Sequence, residues 1–344
     1  MTIKKSLLIS VLSILTISCT QNGRELLNQD TQFSHTDFET VSKITGQALN
    51  EISDSLFLPR SIGLVGDYLF IAERSPGNLV HTINLKNEAY LGRFGSRGMG
   101  PGEAPNAWRL FPFNFKELGI LDHEIGKILV YSIDSLVQGK GFKGEYTVKE
   151  AMHSNGVIVF DDKFYILGNY NEDSRLIVGE ITDSLSDLRR FGNFPKLNLN
   201  YEKLSEFDQK TTLNQAKISN HRDIALISYF NIPLFQIVNL STNQEVNIVG
   251  PDPLPSNELI GELKYYYSSI ITENFIYLLY ITDKKEFKYV SNTVLVFDHS
   301  GKPIRKIILD KEVYQIVVYE DNYLYGLTYD NDEAPFTLYK YTLE

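Results

Sequence analysis

Six times along this chain an apolar run breaks at a short polar turn and then resumes, and that recurrence constrains the fold more than any other feature of the sequence. The first hairpin of each unit reads SIGLVGDYLFIAE (61–73), FNFKELGILDH (113–123), GVIVFDDKFYILG (156–168), AKISNHRDIALISYF (216–230), SSIITENFIYLLYI (268–281) and IVVYEDNYLYGLTY (316–329). Asp, Asn, Gly and Glu at the centres supply turn chemistry, and the flanks are strand-type. A second hairpin follows in five units: 79–95, 127–142, 175–192, 234–250 and 293–309. The sixth unit ends with FTLYKYTLE (336–344), a third strand without a fourth.

Four strands recurring about every 50 residues is the spacing of propeller blades, each a small sheet set around a common axis. The 21 Tyr and 20 Phe suit strands better than helices. A ring of sheets must close, because an incomplete last blade would expose an unpaired edge. FETVSKITG (38–46) is a spare strand ahead of the first unit. The sequence therefore predicts an all-β, six-bladed β-propeller over 37–344, its last blade closed by an N-terminal strand. A β-sandwich would account for the strands but not for their sixfold recurrence.

The first nineteen residues, MTIKKSLLISVLSILTISC, have a basic start at Lys4 and Lys5, an uncharged, mostly apolar run to Ile17, and Ser18 before Cys19. This is the pattern of an export signal over 1–18. Leu15 to Cys19 resemble a lipobox, with Thr16 where Leu is usual, so Cys19 is expected to carry the lipid; ordinary secretion with a chance Cys at this point is the alternative. Two or three acyl chains, at about 0.8 kcal/mol per buried methylene, anchor a protein stably. The apolar run is short for a membrane-spanning helix. Residues 19–36, polar from Thr20 on, read as a flexible tether. The expected location is a bacterial membrane, the outer membrane facing the periplasm, with surface exposure as the alternative. Cys19 is the one cysteine, so no disulfide forms within the chain. Losing two lysines and no acids with the signal moves the formal charge from −10 to −12. Such acidity repels a polyanion and argues against a nucleic-acid partner.

After the first unit stands GRFGSRGMGPGEAPNAW (92–108). With this segment, centred on Gly98, Gly100, Pro101, Gly102 and Glu103, and with the hairpin repeats, the chain resembles the TolB-like and NHL-like six-bladed propeller lipoproteins of Gram-negative bacteria. The resemblance implies the fold and brings no catalytic residues with it. The glycines invite comparison with phosphate loops, but no Gly-Lys-Ser/Thr ends the segment and no helical pattern follows. An inter-blade connection needing positive φ is the better reading.

Propeller geometry puts the hairpin turns on one face and the remaining loops on the other, here termed the entry face. Its decorated loops are expected to carry recognition. They include 73–78, 92–108, 122–126, 169–175, 192–214, 250–264, 283–292 and 330–335. The candidate ligand-binding residues are Arg74, Arg97, Trp108, His123, Glu124, Asn171, Arg175, Tyr229 and Asn231. Trp108 could stack on a sugar or aromatic group, or pack between blades. Arg93 and Arg97 could fork onto a carboxylate or phosphate, or pin their own loop. The six histidines lie at least 30 positions apart, with no HExxH. Asp330 and Asp332 lack the rest of a calcium-loop pattern. GxSxG and SxxK are absent, and an acylated Cys19 is no nucleophile. No metal or cofactor is expected. These features favour a membrane-anchored binding or scaffold protein for a peptide, glycan or protein partner. The alternative is a hydrolase or lyase acting on a saccharide or peptide at the same face.

Overall fold

The computed structural model describes residues 31–343 apart from 75, 76, 78, 137–139, 169–173, 182–185, 193, 196–211, 254–262, 282–288 and 330–335. Three short strands precede the repeats: β1 (Thr31–Gln32), β2 (Thr40–Ile44) and β3 (Gln47–Ala48), followed by a single helical turn, α1 (Asn50–Ser53). Six sheets then succeed one another. Blade one is β4 (Pro59–Val65), β5 (Tyr68–Glu73), β6 (Val80–Asn84) and β7 (Ala89–Phe94). Blade two is β8 (Arg109–Asn114), β9 (Glu117–Asp122), β10 (Lys127–Ser132) and, after a second helical turn α2 (Ile133–Leu136), β11 (Phe142–Thr147). Blade three is β12 (Val157–Phe160), β13 (Lys163–Leu167), β14 (Leu176–Glu180) and β15 (Ser186–Phe191). Blade four is β16 (Ala216–His221), β17 (Ile224–Tyr229), β18 (Leu234–Asn239) and β19 (Gln244–Val249). Blade five is β20 (Tyr266–Ile271), β21 (Ile276–Tyr280), β22 (Ser291–Phe297) and β23 (Pro303–Val313). Blade six is β24 (Gln315–Tyr319), β25 (Tyr323–Leu327) and β26 (Leu338–Thr342).

The ring closes through an N-terminal strand, as expected, but that strand is Gln47–Ala48 and not the 38–46 segment. β3 pairs antiparallel with β26 and supplies the fourth strand of blade six, aided by Leu49 N–H donating to Leu338 O at 2.9 Å. The core of the spare segment, β2, runs parallel to β23 as a fifth strand on blade five. The reason is an edge: β23 is eleven residues long, and its outer side offers free backbone groups. Within the stretch expected as a tether, β1 adds in parallel to β19 on blade four, and Phe33 is buried against Phe235 and Phe297. Gly250, at φ +147, makes room for this crossing, since a Cβ there would stand 2.2 Å from Phe33 O.

Six apolar clusters hold the ring, one between each pair of neighbouring blades, including blade six against blade one through Leu338, Tyr325, Leu69 and Ile83. Second strands are covered on both sides by adjacent blades, so β5, β9, β17 and β25 are buried at every position after the first. Each fully buried Leu, Ile, Val or Phe contributes about 1.5–3 kcal/mol relative to exposure. First strands face the axis and lack a partner on that side. Pro112 therefore sits inside β8 without breaking a ladder, which is why this strand begins at Arg109 and not at the 113 expected from sequence. Two hairpins reverse through acidic residues in the left-handed region: Asp161–Asp162 and Glu320–Asp321 all adopt φ between 49° and 54°, the values that the two central residues of a type I′ turn take.

Candidate functional site

The first strands of all six blades start at the entry face, so their opening residues converge around the axis. Beneath them lies a cavity of about 450 Å³. Its entry-face end is bounded by Arg109, Asn155, Lys217 and Gln315, its middle by aliphatic side chains, and its far end by His221, Thr272, Asn274 and Asp321. Volumes of this order hold small ligands.

The entry-face end is cationic although the protein is acidic overall. Arg109 donates Nε–H to Asn155 O at 3.1 Å and Nη1–H to Trp108 O at 3.2 Å. Lys217 donates from Nζ to the Gln315 amide oxygen at 3.0 Å and lies 5.2 Å from the Tyr267 ring centre. Burial, with the nearby Arg109 charge, holds the Lys217 ammonium well below the ordinary lysine range. Arg60, just outside the rim, is pulled down to about 10 by burial and by the fields of Arg74, Arg109 and Arg97, with Glu124 acting against them. Like charges gathered in a partly dry cleft disfavour one another and favour an anion. At the opposite end the sign reverses. Asp321 accepts from Thr272, Asn274 and Tyr277, and Glu273 pairs with Arg222 at 3.0 Å.

Trp108 sits beside this rim in a stack. The Arg60 guanidinium lies 3.4 Å from its ring centre and the His123 ring 4.2 Å away at 28°, distances that put the two on opposite faces of the indole. Both faces are thus occupied by the protein's own side chains. His123 Nδ1 is 3.2 Å from the Ser154 carbonyl, which can only accept, so Nδ1 carries the proton. Burial lowers the His123 pKa below its ordinary value, and Arg109 adds to this while the Ser154 bond, Asp122 and Glu124 oppose it. Glu124 accepts from the Asn106 amide at 2.9 Å.

The other sequence-predicted residues are placed as follows. Arg74 is exposed and belongs to the cationic rim through its field on Arg60. Arg97 pins its own loop, donating to Pro105 O at 2.6 Å and Glu73 O at 2.8 Å, and Arg93 donates to Ser55 O. Arg175 is 1% exposed, with Tyr229 and Phe194 ring centres 5.0 and 5.4 Å from its guanidinium carbon. Tyr229 is itself buried and donates to Gln236. Asn231 donates to Gln215 at 2.8 Å and accepts from Lys264. Asn171, Asp330, Asp332 and Cys19 lie outside the described residues, as do most of loops 192–214, 250–264 and 283–292. The glycine-rich loop is an internal knot: Gly100 N–H is capped by Glu103 at 3.0 Å, Gly102 N–H by Glu145 at 2.7 Å, and Lys127 holds the Gly100 and Glu103 carbonyls. Its amides serve the protein's own carboxylates. Arg60, Lys217 and Gln315 went unnoticed in the sequence, where the available signal was a charged or polar residue opening an otherwise apolar first strand.

A six-bladed propeller with a cation-rimmed axial cavity is the class of protein that this fold and site define. The chain belongs to the TolB-like 6-blade propeller-like family, whose model matches residues 37–321. Among solved structures it is similar to a Bacteroides fragilis protein described as exported, with 14% identity and a TM-score of 0.56 over 89% of this chain and 100% of that one. It is also similar to the calcium-binding protein regucalcin from Agrobacterium tumefaciens, with 9% identity and a TM-score of 0.49 over 89% and 98% of the two chains. At these identities the likeness is one of fold alone. A search of curated proteins finds no match to this chain.

Proposed function

We propose that this protein is a lipoprotein, anchored through Cys19 to the outer membrane on its periplasmic side, whose propeller holds a peptide, glycan or protein partner at the entry face. The observation that carries the binding reading is the axial cavity, a concave site lined at its entry-face end by Arg109 and Lys217, with Arg60 and Arg74 close by. The anchor reading rests on the signal-like first eighteen residues and the Ser18–Cys19 step. The direction of β1 fits both. Fourth strands run from the hairpin-turn face to the entry face, and β1 is parallel to β19. The chain thus joins blade four heading toward the entry face, a direction that supports an anchored end on the hairpin-turn side.

Mass spectrometry of the exported protein tests the anchor: acyl chains on Cys19 are expected, and a Cys19→Ser variant should leave the detergent phase for the aqueous one. Cross-linking in cells tests the face. Partners should be lost with Arg74→Ala and Glu124→Ala and retained with Lys86→Ala on the hairpin-turn face. The reverse pattern would sink the assignment.

A further inference from the structure

We propose that the entry-face end of the axial cavity binds the carboxylate of a small amphiphilic monoanion, held between the Arg109 guanidinium and the Lys217 ammonium, with its apolar body lying along the channel. This deepens the binding reading above and rests on it for the choice of face.

The hydrogen-bond inventory of the two cations leaves a place for an oxyanion. Arg109 uses Nε and Nη1 on carbonyl oxygens, and its Nη2 has no protein partner among the described residues. Lys217 spends one proton on a neutral amide and keeps two. Among the described residues neither cation pairs with a carboxylate: their partners are the Asn155 and Trp108 carbonyls and the Gln315 amide, and the Arg109 charge helps to lower the Lys217 pKa. A guanidinium and an ammonium within each other's fields, with no acid paired to either among the described residues, are an unbalanced pair, and a bound carboxylate supplies the missing charge with charge-assisted bonds from both.

Below this pair the walls become mainly aliphatic: Ile62, Leu110, Val157, Ile218 and Ile270 line the cavity, with Ser219 and Ser269 among them. A body of hydrocarbon displaces water there at a gain, whereas a second charged group would not. At the far end stand Glu320 and Asp321, beside Glu273 in its pair with Arg222. Their charge repels a ligand that is anionic at both ends and orients a monoanion head-up toward Arg109. Because burial and Arg109 depress the Lys217 pKa, affinity should decline as pH rises while lysine loses its proton below its ordinary range.

Titration calorimetry on the full mature protein, with Trp108 emission as a second readout, tests the proposal using four probes: octanoate, octanol, acetate and octyl phosphate. Octanoate should bind at least tenfold more tightly than each of the other three. Lys217→Met should weaken octanoate at least tenfold and leave octanol unchanged, and Arg109→Gln, checked for folding by circular dichroism, should weaken octanoate likewise. Octanol binding as well as octanoate would overturn the anionic head, acetate binding as well would overturn the apolar body, and tighter octyl phosphate would reassign the head to a phosphoryl group. No binding by any probe would overturn the proposal outright. If octanoate fails while partners are still captured at Arg74 and Glu124, the inference falls and the binding face stands; octanoate binding with capture lost would do the opposite.

Discussion

Lys217 Nζ donates to Gln315 Oε1 at 3.0 Å, joining the first strands of blades four and six across the mouth of the channel, 98 residues apart in sequence. An ammonium has been drawn out of water and given one amide in exchange. Replacing a buried charge by a packed apolar side chain of similar length is often stabilising. Lys217→Met should therefore raise stability by about 1–2 kcal/mol, read as a higher urea midpoint at unchanged slope. A lower midpoint would show that the Gln315 bond outweighs the cost of burial.

The Trp108–His123 stack should respond to acid. His123 has a folded pKa below its ordinary value near 6.5, chiefly through burial. The unfolded chain then takes up the proton first, so stability is whole above about pH 6.5 and declines as pH falls through the interval down to the lowered folded value. Emission from Trp108, the one tryptophan, should change over that same acidic interval. A His123→Phe variant should flatten both profiles, and a change centred above pH 6.5 would contradict the assignment.

Glu73, 1% exposed, accepts the Phe57 N–H at 2.6 Å and lies 3.5 Å from Nε2 of the fully buried His81, whose Nδ1 meets the Tyr90 hydroxyl at 3.0 Å. Glu73→Ala should cost about 2–3 kcal/mol by stranding these groups. Glu73→Gln, which keeps an acceptor in place, should recover most of the loss in a chemical denaturation series. Equal losses for the two variants would assign the effect to the charge alone.

Closure of the ring can be weakened at one hydroxyl. Ser53 Oγ accepts the Leu338 N–H at 3.1 Å, tying α1 to the last strand over 285 residues, and donates to Leu49 O at 2.8 Å. Ser53→Ala leaves a buried N–H unpaired and should cost about 1–2 kcal/mol. Amide exchange at Leu338 and Leu49 should accelerate more than at β17. Uniform acceleration would mean that the closing blade is no weaker than the rest.

Much of the architecture was legible because hairpins are local. Turn residues at Gly66–Asp67, Asp161–Asp162 and Glu320–Asp321 mark where strands reverse, and alternating apolar runs mark what lies on either side. The strand at 109–114 was read from 113 only, and the position facing the axis that lets Pro112 sit inside it is a property of the ring. The closing strand was misplaced for a similar reason. A parallel strand added to an outer edge, as β2 is on β23, leaves no mark on the partner's sequence. Of the candidate site, His123, Trp108 and Arg74 were reached through their loops, whereas Arg175, Tyr229 and Asn231 proved to be interior residues.

From its order of residues alone, this chain was committed to short antiparallel strands in six units and to a sheet edge that had to be covered, because turn chemistry and strand periodicity act over a few positions. Which first-strand residues meet on the axis was decided only by closing the ring. That step brought Arg109 and Lys217 within reach of each other's fields and set Glu273, Glu320 and Asp321 at the far end of the channel, and long-range charge placement of this kind follows from three-dimensional distance.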